Sequence, residues 1–161
     1  CSPYEALINK FEPQSKEKDI KNIFEKLEIF LVPLIDQIID MATDLTVLLS
    51  PSLREKNEEK KQFMREKLAS GILVKKISFL EELLEKETGE WFVSNNITIA
   101  DIAIWRLAGW LTSGMIDYLP TNLIAPFPNL KRHFLNVEGQ PKVIEWKKMT
   151  YPADYSANKI E

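Results

Sequence analysis

The stretch Ile97-Thr98-Ile99-Ala100-Asp101-Ile102 constrains this chain more than any other. A threonine at a helix N-cap accepts from the amide three residues on, and an acidic side chain at that third position reaches back to the cap amide. Thr98 and Asp101 have this spacing, with Asp in place of the usual Glu or Gln. Ile97 and Ile102 occupy the two staple positions that fix how the chain runs into the helix. The helix so opened, about 99–112, is apolar nearly all round: Ile102, Ala103, Ile104, Trp105, Leu107, Ala108, Trp110 and Leu111. A helix without a polar face belongs at the centre of a domain. Thr98 and Asp101 therefore read as a structural capping box, not as an acid or base.

The rest of the chain is also helical in period. From Ile20, apolar residues recur at i, i+3 and i+4 as far as Leu49. Pro33 interrupts them, because proline removes a donor and crowds the preceding turn. Two helices are expected, about 19–31 and 34–49. Ser52 and Glu55 fit a second capping box behind Pro51, so a third helix is expected from about 52 to 69. Its Arg54–Lys61 face is nearly all charge and should face water. After Gly71, Ile72, Leu73, Ile77, Leu80 and Leu84 form another stripe, ending near Gly89. Pro128 and Pro141 suit the first turns of helices over about 128–138 and 141–149. Trp91-Phe92-Val93 is β-like but too short to anchor a sheet. The expected fold is all-α, a helical bundle of seven to eight helices.

Composition closes off several functions. The chain has 161 residues, 45% of them hydrophobic and 28% charged, so it can bury a core as one domain. Its net charge of −3 argues against a nucleic-acid partner. One cysteine, Cys1, allows no internal disulfide, and one histidine, His133, allows no multi-histidine metal site, so no metal is expected. Neither phosphate-binding glycine loops nor a G-x-S-x-G elbow occurs. The apolar runs are too short for a membrane span.

The order of motifs is specific: a two-part charged helix pair, then Trp91-Phe92-Val93, then Thr98-Ile99-Ala100-Asp101 opening a buried helix. Phe127-Pro128-Asn129-Leu130 and Pro141-Lys142-Val143-Ile144-Glu145-Trp146 follow. This resembles the C-terminal helical domain of cytosolic glutathione S-transferases, of the sigma, mu and alpha branch. Leu34-Ile35-Asp36-Gln37-Ile38-Ile39-Asp40 resembles that domain's first helix. The resemblance covers about residues 34–149. It divides the chain into a lead-in (1–33), a helical domain (34–149) and a tail (150–161). The thioredoxin-like half of such enzymes, which carries the catalytic residue and most glutathione contacts, has no counterpart here beyond residues 20–33, which stand where its last helix would be.

Site residues follow from the resemblance. It implies a substrate pocket on Leu45, Leu49, Ala103, Arg106 and Leu107. Gln14-Ser15 resembles the pair that holds the glutamyl end of glutathione, and Asp44 matches an acidic residue that touches glutathione or a cation across a dimer interface. Asp40, four residues away, would share its helix face, and the alternative for both is a solvated surface. Leu45 and Leu49 have core packing as their alternative. Arg106, on an apolar helix, must be paired or reach water; it is either a structural ion pair or a ligand contact. His133 reads as structural, Trp105, Trp110 and Trp146 as core or interface aromatics, and Cys1 lacks a neighbouring base that would make it a catalytic thiol.

No complete active site is expected, so no residue is assigned as catalytic. The resemblance implies a helical domain supplying a hydrophobic substrate wall and a dimer or partner surface, with glutathione as co-substrate if a thioredoxin-like half exists. The alternative is a non-catalytic interaction subunit of a larger complex. An unrelated helical binder would make both motif clusters accidental. The expected partners are a second copy or a larger protein complex. The expected location is cytoplasmic, or a plastid or other organelle if Cys1 follows a removed transit peptide.

Overall fold

The computed structural model describes residues 14–86, 90–93 and 95–151, with side chains from residue 29 onward. Among the described residues there are six helices and no strand. We number them α1 (Gln14–Arg54), α2 (Glu58–Ala69), α3 (Ile72–Lys86), α4 (Ile99–Thr112), α5 (Pro128–Glu138) and α6 (Pro141–Thr150). The last three match the ranges expected from their caps and prolines to within one residue. No helix is long and apolar enough to cross a membrane among the described residues. The chain divides into two compact units, residues 1–34 and 35–161. In the first, Ile29, Phe30, Val32 and Leu34 are exposed apolar side chains.

The expected count of seven to eight helices is corrected by α1. Its helix starts earlier than about residue 19, at Gln14, and runs through both Pro33 and Pro51. An internal proline costs about 3 kcal/mol and one backbone bond; beside Pro51 the buried Leu49 and Ser52 hold the helix against that loss, whereas Val32 and Leu34 beside Pro33 are exposed. Ile38, Leu45 and Leu49 of α1 are buried. Ser52 is consequently not an N-cap. It is buried inside the last turn of α1, and its hydroxyl donates to the Leu49 carbonyl at 2.8 Å. The real break comes at residues 55–57. There Glu55 Oε1 accepts from the amides of Lys56 and Asn57, and Asn57 Oδ1 accepts from the Lys60 amide, capping α2.

The second unit is built around α4 and α5. Helices α3 and α4 both pack on α5, α2 packs on α3, and α6 packs on α5. Leu73, Ile77, Leu80 and Leu84 of α3, Ile104, Ala108 and Leu111 of α4, and Leu130, Phe134 and Val137 of α5 form the dry interior. Trp91, Phe92 and Val93 are buried too, as loop rather than strand. Gly71 sits where α2 hands over to α3. A side chain there would meet the Lys67 carbonyl at 2.9 Å, so the turn needs glycine.

Two polar side chains fasten elements distant in sequence. Glu81 on α3 accepts from the Asn129 amide (2.9 Å), its side-chain amide (2.8 Å) and the Leu130 amide (2.7 Å), satisfying the open first turn of α5. Arg65 on α2 is buried. Its Nη1 donates to the Asp117 carbonyl at 2.9 Å and its Nε to Ser52 Oγ at 3.3 Å. It thereby ties α1, α2 and the 115–119 loop, where Tyr118 takes a left-handed backbone at φ 62°.

Candidate functional site

An open groove lies between the second half of α1 and the central helix α4. Ile39, Ala42, Thr43 and Thr46 form one wall; Ala103, Arg106, Leu107 and Trp110 form the other, and the space is about 510 Å³. The α1 residues follow i, i+3, i+4 and i+7, one stripe of the helix. Arg106 is the only charged residue on either wall. Both threonine hydroxyls are spent within their own helix: Thr43 Oγ1 donates to the Ile39 carbonyl at 3.1 Å and Thr46 Oγ1 to the Ala42 carbonyl at 3.0 Å.

Of the residues expected to form a pocket, Ala103, Arg106 and Leu107 come together here. Leu45 and Leu49 do not. Both are fully buried in the core, on the stripe that continues from Ile38 to Ser52. The expectation is corrected by one step of helical phase: 39, 42, 43 and 46 face the groove, while 38, 45, 49 and 52 face inward. Arg106 is exposed and makes no ion pair among the described residues. Its guanidinium carbon stands 6.0 Å from the centre of the Tyr151 ring.

A second groove, of about 430 Å³, shares Arg106 with the first and is otherwise lined by Ile102, Trp105, Lys142, Val143 and Trp146. Its floor is held in place. Trp105 Nε1 donates to Glu138 Oε1 at 2.7 Å, and the other oxygen of Glu138 pairs with Lys147. The Trp146 ring stands edge-on to Trp105 at 6.2 Å and to Tyr151 at 5.5 Å. Trp105 is thus core, Trp110 a half-buried groove wall and Trp146 partly exposed.

Asp44 is exposed and pairs with Lys76 of α3 at 2.9 Å; Asp40 is exposed. Among the described residues no group of three or more His, Cys, Asp or Glu could hold a metal ion. The backbone of Gln14 and Ser15 opens α1, but their side chains lie outside the described residues, as does Cys1.

Asp101 makes four polar contacts among the described residues. Its Oδ2 accepts from the Thr98 amide (2.7 Å) and the Thr98 hydroxyl (2.8 Å), within the expected capping box. Its Oδ1 accepts from the Phe92 amide at 3.0 Å and lies 2.9 Å from His133 Nε2. His133 is buried against the edges of Trp91 and Phe92, and its Nδ1 has no partner among the described residues. With Asp101 ionised, Nε2–H donates. The capping reading of Asp101 was visible in the sequence; its bond to His133, 32 positions away, left no local signal. Arg65, Glu81 and Glu138 were missed for the same reason, as each looks like ordinary helix-surface charge.

Burial by itself would push the Asp101 carboxyl up. The His133 ring, the Phe92 and Thr98 amides and the Thr98 hydroxyl outweigh it and hold the group below the usual carboxylate range. A depressed folded value means stability that is present above the unfolded value, about 3.9, and is lost as pH falls through the folded one. The urea midpoint should therefore drop between pH 6 and pH 3, and the drop should be smaller in Asp101→Asn. Equal drops in both proteins would place the acid sensitivity elsewhere.

Comparison with known proteins adds one finding. The family model for the glutathione S-transferase C-terminal domain matches residues 43–150. No curated protein matches the chain.

Proposed function

Because the chain belongs to the glutathione S-transferase C-terminal domain family, we propose that it serves as the helical half of a glutathione S-transferase-like protein. The groove between α1 and α4 is then the apolar wall on which an electrophile rests. The observation that carries this reading is that the groove is open and, Arg106 apart, apolar along α4. A subunit built only for scaffolding has no need of such a space. The nucleophile of the reaction is the glutathione thiolate, which requires an activating donor. None of the residues described here is assigned that task, and it falls to a thioredoxin-like half. Glutathione is accordingly a co-substrate. The protein works in the cytoplasm.

Exposed Ile29, Phe30, Val32 and Leu34 favour a second role, contact with a second copy or another protein of a complex. Isolated apolar side chains on a surface are ordinary, but here Ile29 with Val32 and Phe30 with Leu34 stand one helical turn apart, two exposed apolar pairs on one stretch of helix that suit a partner. On this reading alone the chain is a non-catalytic interaction subunit.

The transferase reading is tested by filling the groove. Thr46 is exposed on α1, so Thr46→Trp adds bulk there without opening the core. In the native protein this change should raise KM for an apolar aryl electrophile about fivefold or more and leave KM for glutathione within about twofold, since one ring fills a large share of a small-molecule pocket. An unchanged KM for the electrophile would remove the groove from the reaction.

A further inference from the structure

We infer that the α1–α4 groove selects small apolar molecules bearing a single carboxylate, and that Arg106 is the residue that anchors it. This deepens the proposed function and rests on that groove being the substrate wall. The argument starts from what the groove can offer a ligand. Ile39, Ala42, Ala103 and Leu107 offer only apolar surface. Thr43 and Thr46 lie in the wall, but their hydroxyl hydrogens are committed to the carbonyls of Ile39 and Ala42, so toward a ligand they show only acceptor lone pairs. Arg106 is the one charge on either wall, and it has no carboxylate partner among the described residues.

A guanidinium on an otherwise apolar helix is held at a cost unless it is solvated or paired. Here it is exposed, which satisfies it when the groove is empty. A ligand that fills the groove with a neutral apolar group covers that water without replacing it. A ligand that ends in a carboxylate replaces it with two parallel N–H···O bonds, the geometry that arginine matches and lysine does not. The Tyr151 ring centre stands 6.0 Å from the guanidinium carbon. The space of about 510 Å³ suits a ligand of drug-like size. The groove thus pairs an apolar body with one anionic end.

The test uses the native protein and 11-(dansylamino)undecanoic acid, with its methyl ester as the uncharged counterpart, each titrated by dansyl fluorescence. The acid should bind at least tenfold more tightly than the ester. Arg106→Gln should abolish that preference by weakening the acid about tenfold while leaving the ester within twofold, and Arg106→Lys should restore it only in part. Thr46→Trp should weaken both probes, whereas Lys142→Glu, in the neighbouring groove, should leave both within about twofold. Circular dichroism confirms that each variant is folded. Equal binding of acid and ester, both lost in Thr46→Trp, would overturn the carboxylate preference and leave the substrate wall standing. Binding insensitive to Thr46→Trp but lost in Lys142→Glu would place the ligand in the other groove and overturn the inference. Absence of binding by either probe would count against both the inference and the wall.

Discussion

Asp101→Ala should destabilise the domain by about 3–5 kcal/mol, the range for leaving buried polar partners without their charge. The carboxylate is fully buried and accepts from the Thr98 amide and hydroxyl, the Phe92 amide and His133 Nε2. Truncation strands all of these donors at once. It removes the cap of α4, the tie between α4 and α5 and the anchor of the Trp91–Val93 loop together. Against a total stability of about 5–15 kcal/mol, that loss is a large fraction. Asp101→Asn keeps the shape and one acceptor oxygen but turns a donor toward other donors, so it should fall between wild type and Asp101→Ala. Urea unfolding followed by circular dichroism measures both. A loss within 1 kcal/mol for Asp101→Ala would mean that the carboxylate is a helix cap and nothing more.

Leu49→Ala should cost about 3 kcal/mol and leave ligand binding in the α1–α4 groove unchanged. Leu49 is fully buried, and truncating such a residue removes its transfer energy and leaves a cavity that the neighbours fill only in part. The two readings of this residue give opposite results. A pocket wall would lose affinity with little loss of stability; a core residue loses stability with affinity preserved. Thermal unfolding together with the dansyl-probe titration separates them. Reduced affinity in a variant of wild-type stability would return Leu49 to the groove.

What could be read in advance was local and periodic. Thr98, Asp101 and the staple isoleucines announced α4 within six residues, and Pro128 and Pro141 placed the starts of α5 and α6 correctly. Pro51 misled because proline is a weaker stop than burial is a glue, while Pro33 stays helical between exposed apolar neighbours. Both lie within one helix, and Leu45 and Leu49 hold its later turns on the core. Ser52 misled for the same reason: a serine followed three residues later by glutamate is a cap only if the helix has stopped, and here it had not. The groove was half legible. The α4 wall followed from the family resemblance, but on α1 the choice between two adjacent stripes needed the packing, which sets the phase of a helix that periodicity alone leaves open. His133, Arg65 and Glu81 act across 32, 52 and 48 positions respectively, to Asp101, Asp117 and Asn129. No spacing rule covers such distances.

The measurement that tests the central claim most directly is the intact mass of the native polypeptide. If this chain is the helical half of a transferase, the native protein should exceed 18.7 kDa by a further domain of roughly 80 residues, and that added portion should bind glutathione. A native mass of 18.7 kDa would leave the groove without a thiolate to work with, and would contradict the transferase reading in favour of an interaction subunit.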